Sequence, residues 1–369
     1  MRTICLESVE DFGARVTAWD EGLKASGVDD PFQHSDFILT WWKYFSADRL
    51  LRIIVVFEGD KPVAGLPLYV ENNGGEKSLR FPGASDYVMA NYTNIWAVCD
   101  WQTAIDSIFQ HLSQRDDWDV IYLDRLYTTP PKADLLWAAA IRQGHYALYR
   151  HEMATYMIDV PATFEEHIQR RGKKFRRNIR RAYRVVEKRG ELNLDRITGE
   201  LEVERLFADY VKMSVDSYRR RSMQSTFEDE KLSGFFGDLL KAFDRKGVLN
   251  AYRLRLGQQV MAIGICYSIQ DNMNYILTGF SAEFDELEPG HLLTGELLKR
   301  AIEKKMLVMD FYTGEAPYKV LWCNRKETVH HLVIARATFR NKLKKGKWQA
   351  WRLLRRSPLL TSLKRRFIR

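Results

Sequence analysis

Long apolar runs are missing from this chain. No window approaches the roughly 18 uninterrupted apolar residues that mark a membrane-spanning helix. Met1-Arg2-Thr3-Ile4-Cys5 leads into an acidic segment where a secretory leader would have its apolar core. The expected location is therefore the cytoplasm. Cysteine is also scarce. Cys5, Cys99, Cys266 and Cys323 stand far apart with no CxxC pair, which argues against a zinc ribbon or a disulfide scaffold. His330-His331 lies in an apparent strand with no carboxylate or cysteine at ligand spacing, so no metal is expected.

What is present is enough for two cores. A length of 369 residues exceeds one ordinary domain, and 46% hydrophobic residues with 12% aromatics supply the apolar surface for two. The net charge of +9 is unevenly placed. Arg170 to Arg184 holds nine Lys or Arg in fifteen positions, and a second dense set fills the last thirty residues. Such local basicity implies an anionic partner, whether phosphates of a nucleotide, nucleic acid or a membrane surface.

One pattern occurs twice. Arg52 to Phe57, a turn at Glu58-Gly59-Asp60-Lys61 and Pro62 to Val70 read as a hairpin. Ala251 to Leu256, Gly257-Gln258-Gln259 and Val260 to Tyr267 read as another, and aligning Gly59 with Gly257 places Val63-Ala64 on Met261-Ala262. Downstream, an amphipathic helix over Trp101 to Gln114 and a strand ending at Asp124 mirror a helix after Pro289 and a strand ending at Asp310. Two tandem copies of one α/β unit is the economical reading. The expected domains are 1–160 and 161–340, followed by a basic tail over 341–369.

Between the copies, His145 to Val160 reads as a strand, and Thr163 with Glu166 three residues later signals a helix start. Phe164, Ile168, Phe175, Ile179, Ala182, Tyr183 and Val186 then form one apolar stripe, interrupted by Gly172. Arg176, Arg180 and their neighbours line the opposite face. That face reads equally as a binding surface for a polyanionic substrate and as a solvated helix face. No nucleic-acid-binding motif accompanies the charge, so nucleic acid is disfavoured.

The segment Tyr275 to Trp322 carries the chemistry. A strand ends in Gly279-Phe280-Ser281, and Glu288-Pro289-Gly290-His291-Leu292 opens a helix. A second strand closes on Asp310, and Gly314-Glu315-Ala316-Pro317-Tyr318-Lys319-Val320-Leu321-Trp322 follows. Free backbone N–H groups at Gly290, His291 and Leu292, with the helix dipole behind them, suit a pyrophosphate. Phe280 and Ser281 stand where backbone groups could meet a pantetheine arm, provided the two strands splay. The first copy has no counterpart of either the Glu-Pro-Gly turn or the Tyr-Lys loop.

The order strand-Gly-Phe-Ser, Glu-Pro-Gly-x-Leu-Leu, helix, Asp-Phe and Gly-Glu-x-x-Tyr-Lys-x-x-Trp resembles the CelD-type, GNAT-like acetyltransferases. It is similar, more distantly, to Fem-type peptidyltransferases that use aminoacyl-tRNA. Pro31-Phe32-Gln33-His34, Trp41-Trp42, Ser85-Asp86-Tyr87 and Phe175 to Arg181 extend the likeness over residues 30 to 335. The resemblance implies an α/β (α+β) tandem GNAT-like fold, with mixed and mainly antiparallel sheets flanked by helices. It also implies transfer of an acyl group, acetyl foremost, from acyl-coenzyme A to an amine or hydroxyl of a sugar or polysaccharide intermediate. Glu288-Pro289-Gly290-His291 replaces the usual GNAT pyrophosphate signature, a departure that bears on the donor. The competing readings are an aminoacyl-tRNA-dependent Fem-like transferase and a catalytically silent scaffold or sensor in exopolysaccharide assembly.

Direct attack on a thioester needs a base, an oxyanion site and a proton for the thiolate. Glu315 and Asp310 are the candidate carboxylates, and Tyr318 is the candidate proton donor. Glu315 is the first choice as base because it sits in the loop, with Asp310 alternatively orienting Tyr318 or Lys319. Lys319, beside Trp322, is the candidate contact to an acceptor phosphate. Asp310 reads equally as a strand cap, and the Tyr318–Trp322 pair reads equally as core packing. In the tail, Lys342, Lys345, Lys347, Arg352 and Arg355 alternate with Leu343, Trp348, Trp351 and Leu354. This pattern suits peripheral attachment to the anionic inner face of a membrane and also a helix packed on the second domain.

Overall fold

β-Branched and aromatic residues alternating around Gly59 and Gly257 fold into the two expected hairpins. The computed structural model describes residues 1–28, 30–84, 90–128 and 130–338. Ser85-Asp86-Tyr87 and the basic tail lie outside these described residues. The first half runs β1 (Arg2–Leu6), α1 (Val9–Gly13), α2 (Val16–Ala25), α3 (Ser35–Phe45), β2 (Arg49–Glu58), β3 (Lys61–Asn73) and β4 (Glu76–Arg80). It continues through β5 (Trp96–Ala97), α4 (Trp101–Ser113), β6 (Val120–Leu126), α5 (Pro130–Arg142) and β7 (Tyr146–Asp159). The second half opens with α6 (Phe164–Gln169), α7 (Lys173–Glu187), β8 (Leu192–Ile197), α8 (Glu200–Arg219) and α9 (Glu230–Arg245). Then come β9 (Leu249–Leu256), β10 (Gln259–Ile269), β11 (Asn272–Phe280), α10 (Pro289–Glu303), β12 (Val308–Thr313), α11 (Pro317–Trp322) and β13 (Arg325–Ala335).

The expected repeat is visible in the backbone. Gly59 and Gly257 both take left-handed turns, at φ 61° and 57°. Each hairpin carries a register irregularity beside its turn, at Val56/Phe57 and at Val260/Ala262. Each then continues as strand, helix and parallel strand, because β4 pairs β6 and β11 pairs β12 in parallel. The other named strand pairs are antiparallel, giving a mixed, mostly antiparallel sheet with flanking helices.

The two copies are not separate along this sheet. Its order is β1-β2-β3-β4-β6-β13-β7-β12-β11-β10-β9-β8, with β5 on β3. The last strand of the second half, β13, enters between β6 and β7, and β7 in turn pairs β12. Both edges of β13 are thus hydrogen-bonded, and no open edge remains where the halves meet. An aromatic core also crosses the seam, with Phe32, Phe37, Trp41 and Tyr92 of the first half packed with Phe235, Tyr267 and Tyr312 of the second. At its rim Lys43 and Tyr44 both donate to Asp238, at 2.6 and 2.7 Å.

The expected single basic helix is two helices. Thr163 accepts from the Glu166 N–H (3.1 Å) and the Glu166 carboxylate accepts from the Ala162 N–H, one residue before the cap (3.1 Å), so the helix starts where the sequence placed it. Gly172 then takes an extended conformation (φ −60°, ψ 147°) and starts α7 afresh. Among the described residues, no helix is long and apolar enough to cross a membrane.

Gly65 on β3 shows how tightly the first half is packed. A Cβ at this position would lie 2.5 Å from the Trp19 ring and 2.6 Å from Trp96, both of them buried. Gly65→Ala is expected to cost about 2 kcal/mol or more, because neither indole can retreat in a close-packed core. Urea unfolding measures this, and wild-type stability would show that the rings have room to move.

Candidate active site

β11 and β12 part where the loop chemistry begins. Their ladder runs Asn272↔Val308, Met273↔Met309, Asn274↔Asp310 and ends there, although β11 extends to Phe280 and β12 to Thr313. The cause is local. The Asp310 carboxylate accepts from the Tyr312 backbone N–H (2.7 Å), which takes that donor away from strand pairing. Tyr312 sits at φ 61°, unusual for an aromatic residue, and the β12–β7 register shifts between Asp310 and Thr313. Lys319 secures the same bulge, donating to the carbonyls of Tyr312 (3.2 Å) and Thr313 (2.7 Å). The splay that a pantetheine arm requires is therefore present.

Asp310 is the electrostatic centre of this split. It is only 5% exposed, and burial pushes its carboxyl up to about 7. The Tyr312 N–H, the Tyr92 hydroxyl, and Lys319 and Arg325 at longer range act in the opposite direction without cancelling the burial. The Tyr92 hydroxyl, from the first half, donates to the carboxylate at 2.8 Å and also contacts the Thr155 hydroxyl. Tyr92 stacks on Tyr127 at 4.4 Å between centroids, and Tyr127 donates to Glu327 (2.6 Å). Opposite Asp310 in the ladder, the buried Asn274 side-chain amide nitrogen has no hydrogen-bond partner among the described residues.

The equivalent strand of the first copy differs. The paired registers and the left-handed residues Arg125 and Tyr312 set Leu123 on Asp310, so Asp124, which the sequence pattern matched to Asp310, falls one residue further on, beside His331 (3.1 Å) and Arg80 (3.4 Å). Burial raises its carboxyl, but these partners outweigh burial and hold it below the ordinary range. Asp124 is a neutralised structural carboxylate, whereas Asp310 has no ion-pair partner among the described residues.

The other expected residues fall into three places. Glu315 is exposed at the loop. Tyr318 is 37% exposed, edge-on to Phe311, and burial pushes its phenol up to about 12. Lys319 is buried, with its ammonium engaged by the two carbonyls above. Trp322 is fully buried. It donates its indole N–H to His291 Nδ1 (2.9 Å), stacks on His167 and stands edge-on to Phe175. Burial lowers the His291 imidazole, leaving it a neutral acceptor.

At the start of α10, a Cβ on Gly290 would meet the Phe280 ring at 3.3 Å, so the two pack closely. Ser281 donates its N–H to Met261 O (2.9 Å), and the Leu292 side chain lies in the core. The 3-10 segment Ala282–Leu287 and Glu288 place Glu283, Asp285, Glu286 and Glu288 before the helix. Arg220 pairs Asp285 (2.8 Å) and Arg189 pairs Glu286. The expected pyrophosphate site therefore keeps two carboxylates, Glu283 and Glu288, unpaired among the described residues, and the His291 and Leu292 N–H groups expected to be free both donate to Glu288 O (2.9 and 3.3 Å). Arg176 donates to Gln169 O (2.9 Å), and Arg180 pairs Glu165 beside a cleft of about 430 Å³ between α6 and α7. Neither arginine contacts the split, although the first turn of α7 abuts α11 through Phe175 and Trp322. Among the described residues, no group of three His, Cys, Asp or Glu side chains could hold a metal.

Residues 173–320 match the family model described as an acetyltransferase (GNAT) domain. In structure the chain is similar to FemX at 10% identity, with 91% of this chain and 97% of that one covered and a TM-score of 0.65. It is also similar to a conserved protein of unknown function from Bacteroides thetaiotaomicron VPI-5482, at 9% identity over 91% and 100% of the two chains, TM-score 0.57. A third is L-PGS from Bacillus licheniformis, at 11% identity over 92% and 97%, TM-score 0.51. These three likenesses extend over both halves and concern the fold. No curated protein matches the chain significantly.

The position of Asp310 has a measurable consequence. Its folded value of about 7 lies above the ordinary 3.8, so the native state binds the proton more tightly and loses stability as pH rises between these values. Asp310→Asn removes this dependence. From pH 5 to pH 8 the variant should gain about 2 kcal/mol on the wild type in urea unfolding. An equal difference at both pH values would show that Asp310 titrates as an ordinary carboxylate.

Proposed function

The second half of this chain carries a GNAT-like acetyltransferase domain, and from that premise we propose that the protein moves an acyl group, acetyl foremost, from acyl-coenzyme A to an amine or hydroxyl by direct attack. The observation that carries this reading is the β11–β12 split with a near-neutral carboxyl at its base. An acyl donor lying in the split would offer its thioester to the groups on β12 and α11. Asp310 accepts the proton of the attacking amine or hydroxyl, a task suited to a group poised near neutrality. Tyr318 remains a phenol at neutral pH and donates a hydrogen bond to the departing sulfur. Lys319 holds the bulge that opens the split, and Glu315 faces the acceptor from the loop. The acceptor class, a sugar or polysaccharide intermediate, rests on the likeness to CelD-type enzymes.

The halves divide the work in this proposal. Residues 161–340 form the transferase unit. Residues 1–160 are a degenerate copy that supplies Tyr92 as a positioning residue for Asp310. A second donor is favoured by one observation: Glu283 and Glu288, the two carboxylates before α10 that no arginine pairs among the described residues, oppose a coenzyme A pyrophosphate. An aminoacyl ester of tRNA, used by the Fem-type enzymes that the sequence distantly resembles, places no pyrophosphate there.

Titration with acetyl-coenzyme A separates these readings, with binding expected below millimolar concentration and thiol release on adding amino sugars. No binding at millimolar concentration would leave the aminoacyl donor, and binding without thiol release would favour a sensor. Asp310→Asn should lower kcat about 100-fold or more. Tyr92→Phe removes a hydrogen bond that favours the ionised carboxylate, so the acidic limb of kcat/KM, expected near pH 7, should move upward. An unmoved limb would show that Tyr92 acts only in packing.

A further inference from the structure

The outer face of α7 and the neighbouring α11 carry two features of which, Tyr318 apart, neither packing nor the transfer chemistry makes use. On α7, Lys173, Lys174, Arg177 and Arg181, continued by Lys188, are exposed. None of them has a carboxylate partner among the described residues, whereas Arg170, Arg180 and Arg189 are paired with Glu166, Glu165 and Glu286. At 100° per residue the unpaired five fall within one narrow stripe, along a helix about 22 Å long at 1.5 Å per residue. Uncompensated like charges lined up in this way repel one another unless an anionic surface lies against them.

The second feature is an apolar tip. α11 is anchored by Trp322 and Lys319 on its inner side. Tyr318, Val320 and Leu321 face water at 37%, 53% and 42% exposure. α11 abuts the N-terminal end of α7, where the stripe begins. Arg171 donates to Cys323 O (2.7 Å) immediately after α11, and Phe175, flanked by Lys174, stands edge-on to Trp322 at 5.1 Å.

We infer that this face docks on an anionic lipid bilayer, with the α7 stripe against the headgroups and Val320 and Leu321 entering the interface. Aliphatic side chains beside cations suit a bilayer, where both gain. Val320 and Leu321 gain from the apolar interior of a bilayer and would gain nothing against the phosphate backbone of a nucleic acid. The consequence, which rests on the proposed transfer function, is that the reactive loop meets an acceptor carried at the membrane. The docking itself is independent of that function.

Flotation of the full chain with vesicles tests the inference. The protein should float with vesicles of 70% phosphatidylcholine and 30% phosphatidylglycerol at 0.1 M NaCl, and remain below with pure phosphatidylcholine. Substituting Gln together at Lys173, Lys174, Arg177 and Arg181 should lower partitioning about 100-fold. Val320→Ser with Leu321→Ser should lower it about 10-fold. Exchanging Lys and Arg at the four α7 positions keeps the charge and should keep the binding. Unchanged flotation of the Gln variant, an unaltered partition for the α11 pair, or retention of single-stranded RNA without vesicle binding would each overturn it. Thiol release from acetyl-coenzyme A in vesicle-free solution separates a failure here from a failure of the transferase reading.

Discussion

Asp310 takes two hydrogen bonds that its surroundings need elsewhere, and much of the site follows from that. By accepting the Tyr312 N–H it ends the β11–β12 ladder and turns Tyr312 into a left-handed conformation. By accepting the Tyr92 hydroxyl it ties the second half to the first. Burial then leaves the carboxyl close to neutral, since the two donors supply less than water would. One side chain thus opens the split, joins the halves and places a titratable group at its floor. Strain at Tyr312 is held by Lys319, which donates to the carbonyls of Tyr312 and Thr313.

The two copies show how one scaffold supports opposite electrostatics. Asp124 and Asp310 lie one register position apart within equivalent strands, yet His331 and Arg80 stand at the first and a phenol and a backbone amide at the second. A carboxylate with cationic partners is inert at neutral pH, while one with neutral donors in a dry site can exchange a proton there. The flanking charges are distributed just as unevenly. Carboxylates crowd the start of α10, and unpaired cations line α7, so the surface around the split is strongly polarised.

A good part of the fold was legible in the chain. Gly59 and Gly257, with strand patterns around them, marked the hairpins because a left-handed turn residue between alternating segments has few other uses. Thr163 and Glu166 marked a helix start for an equally local reason. Gly172 was visible as an interruption, but whether it kinks a helix or separates two depends on packing beyond the local residues. The candidate site was legible in part. The sequence put Glu315 ahead of Asp310 as the base, because burial and the contact from Tyr92 are not local properties, and Tyr92, Thr155 and Asn274 carried no local signal. Tyr92 lies in a short irregular segment, far along the chain from the carboxyl it contacts.

The boundary between the two kinds of information follows from range. Hydrophobic period, turn residues, caps and charge runs act over a few residues, so the sequence alone determined the repeated α/β unit, the polar loop after Asp310 and the basic helix face. Side-chain proton affinity and strand exchange depend on groups brought together from distant positions. Only the tertiary structure decided that β13 enters between β6 and β7, that Lys319 turns inward to backbone carbonyls, and that Trp322 is buried against His291. It also decided that Asp310, and not Asp124, sits in a dry site without a cation, because burial and partners are properties of the assembled sheet.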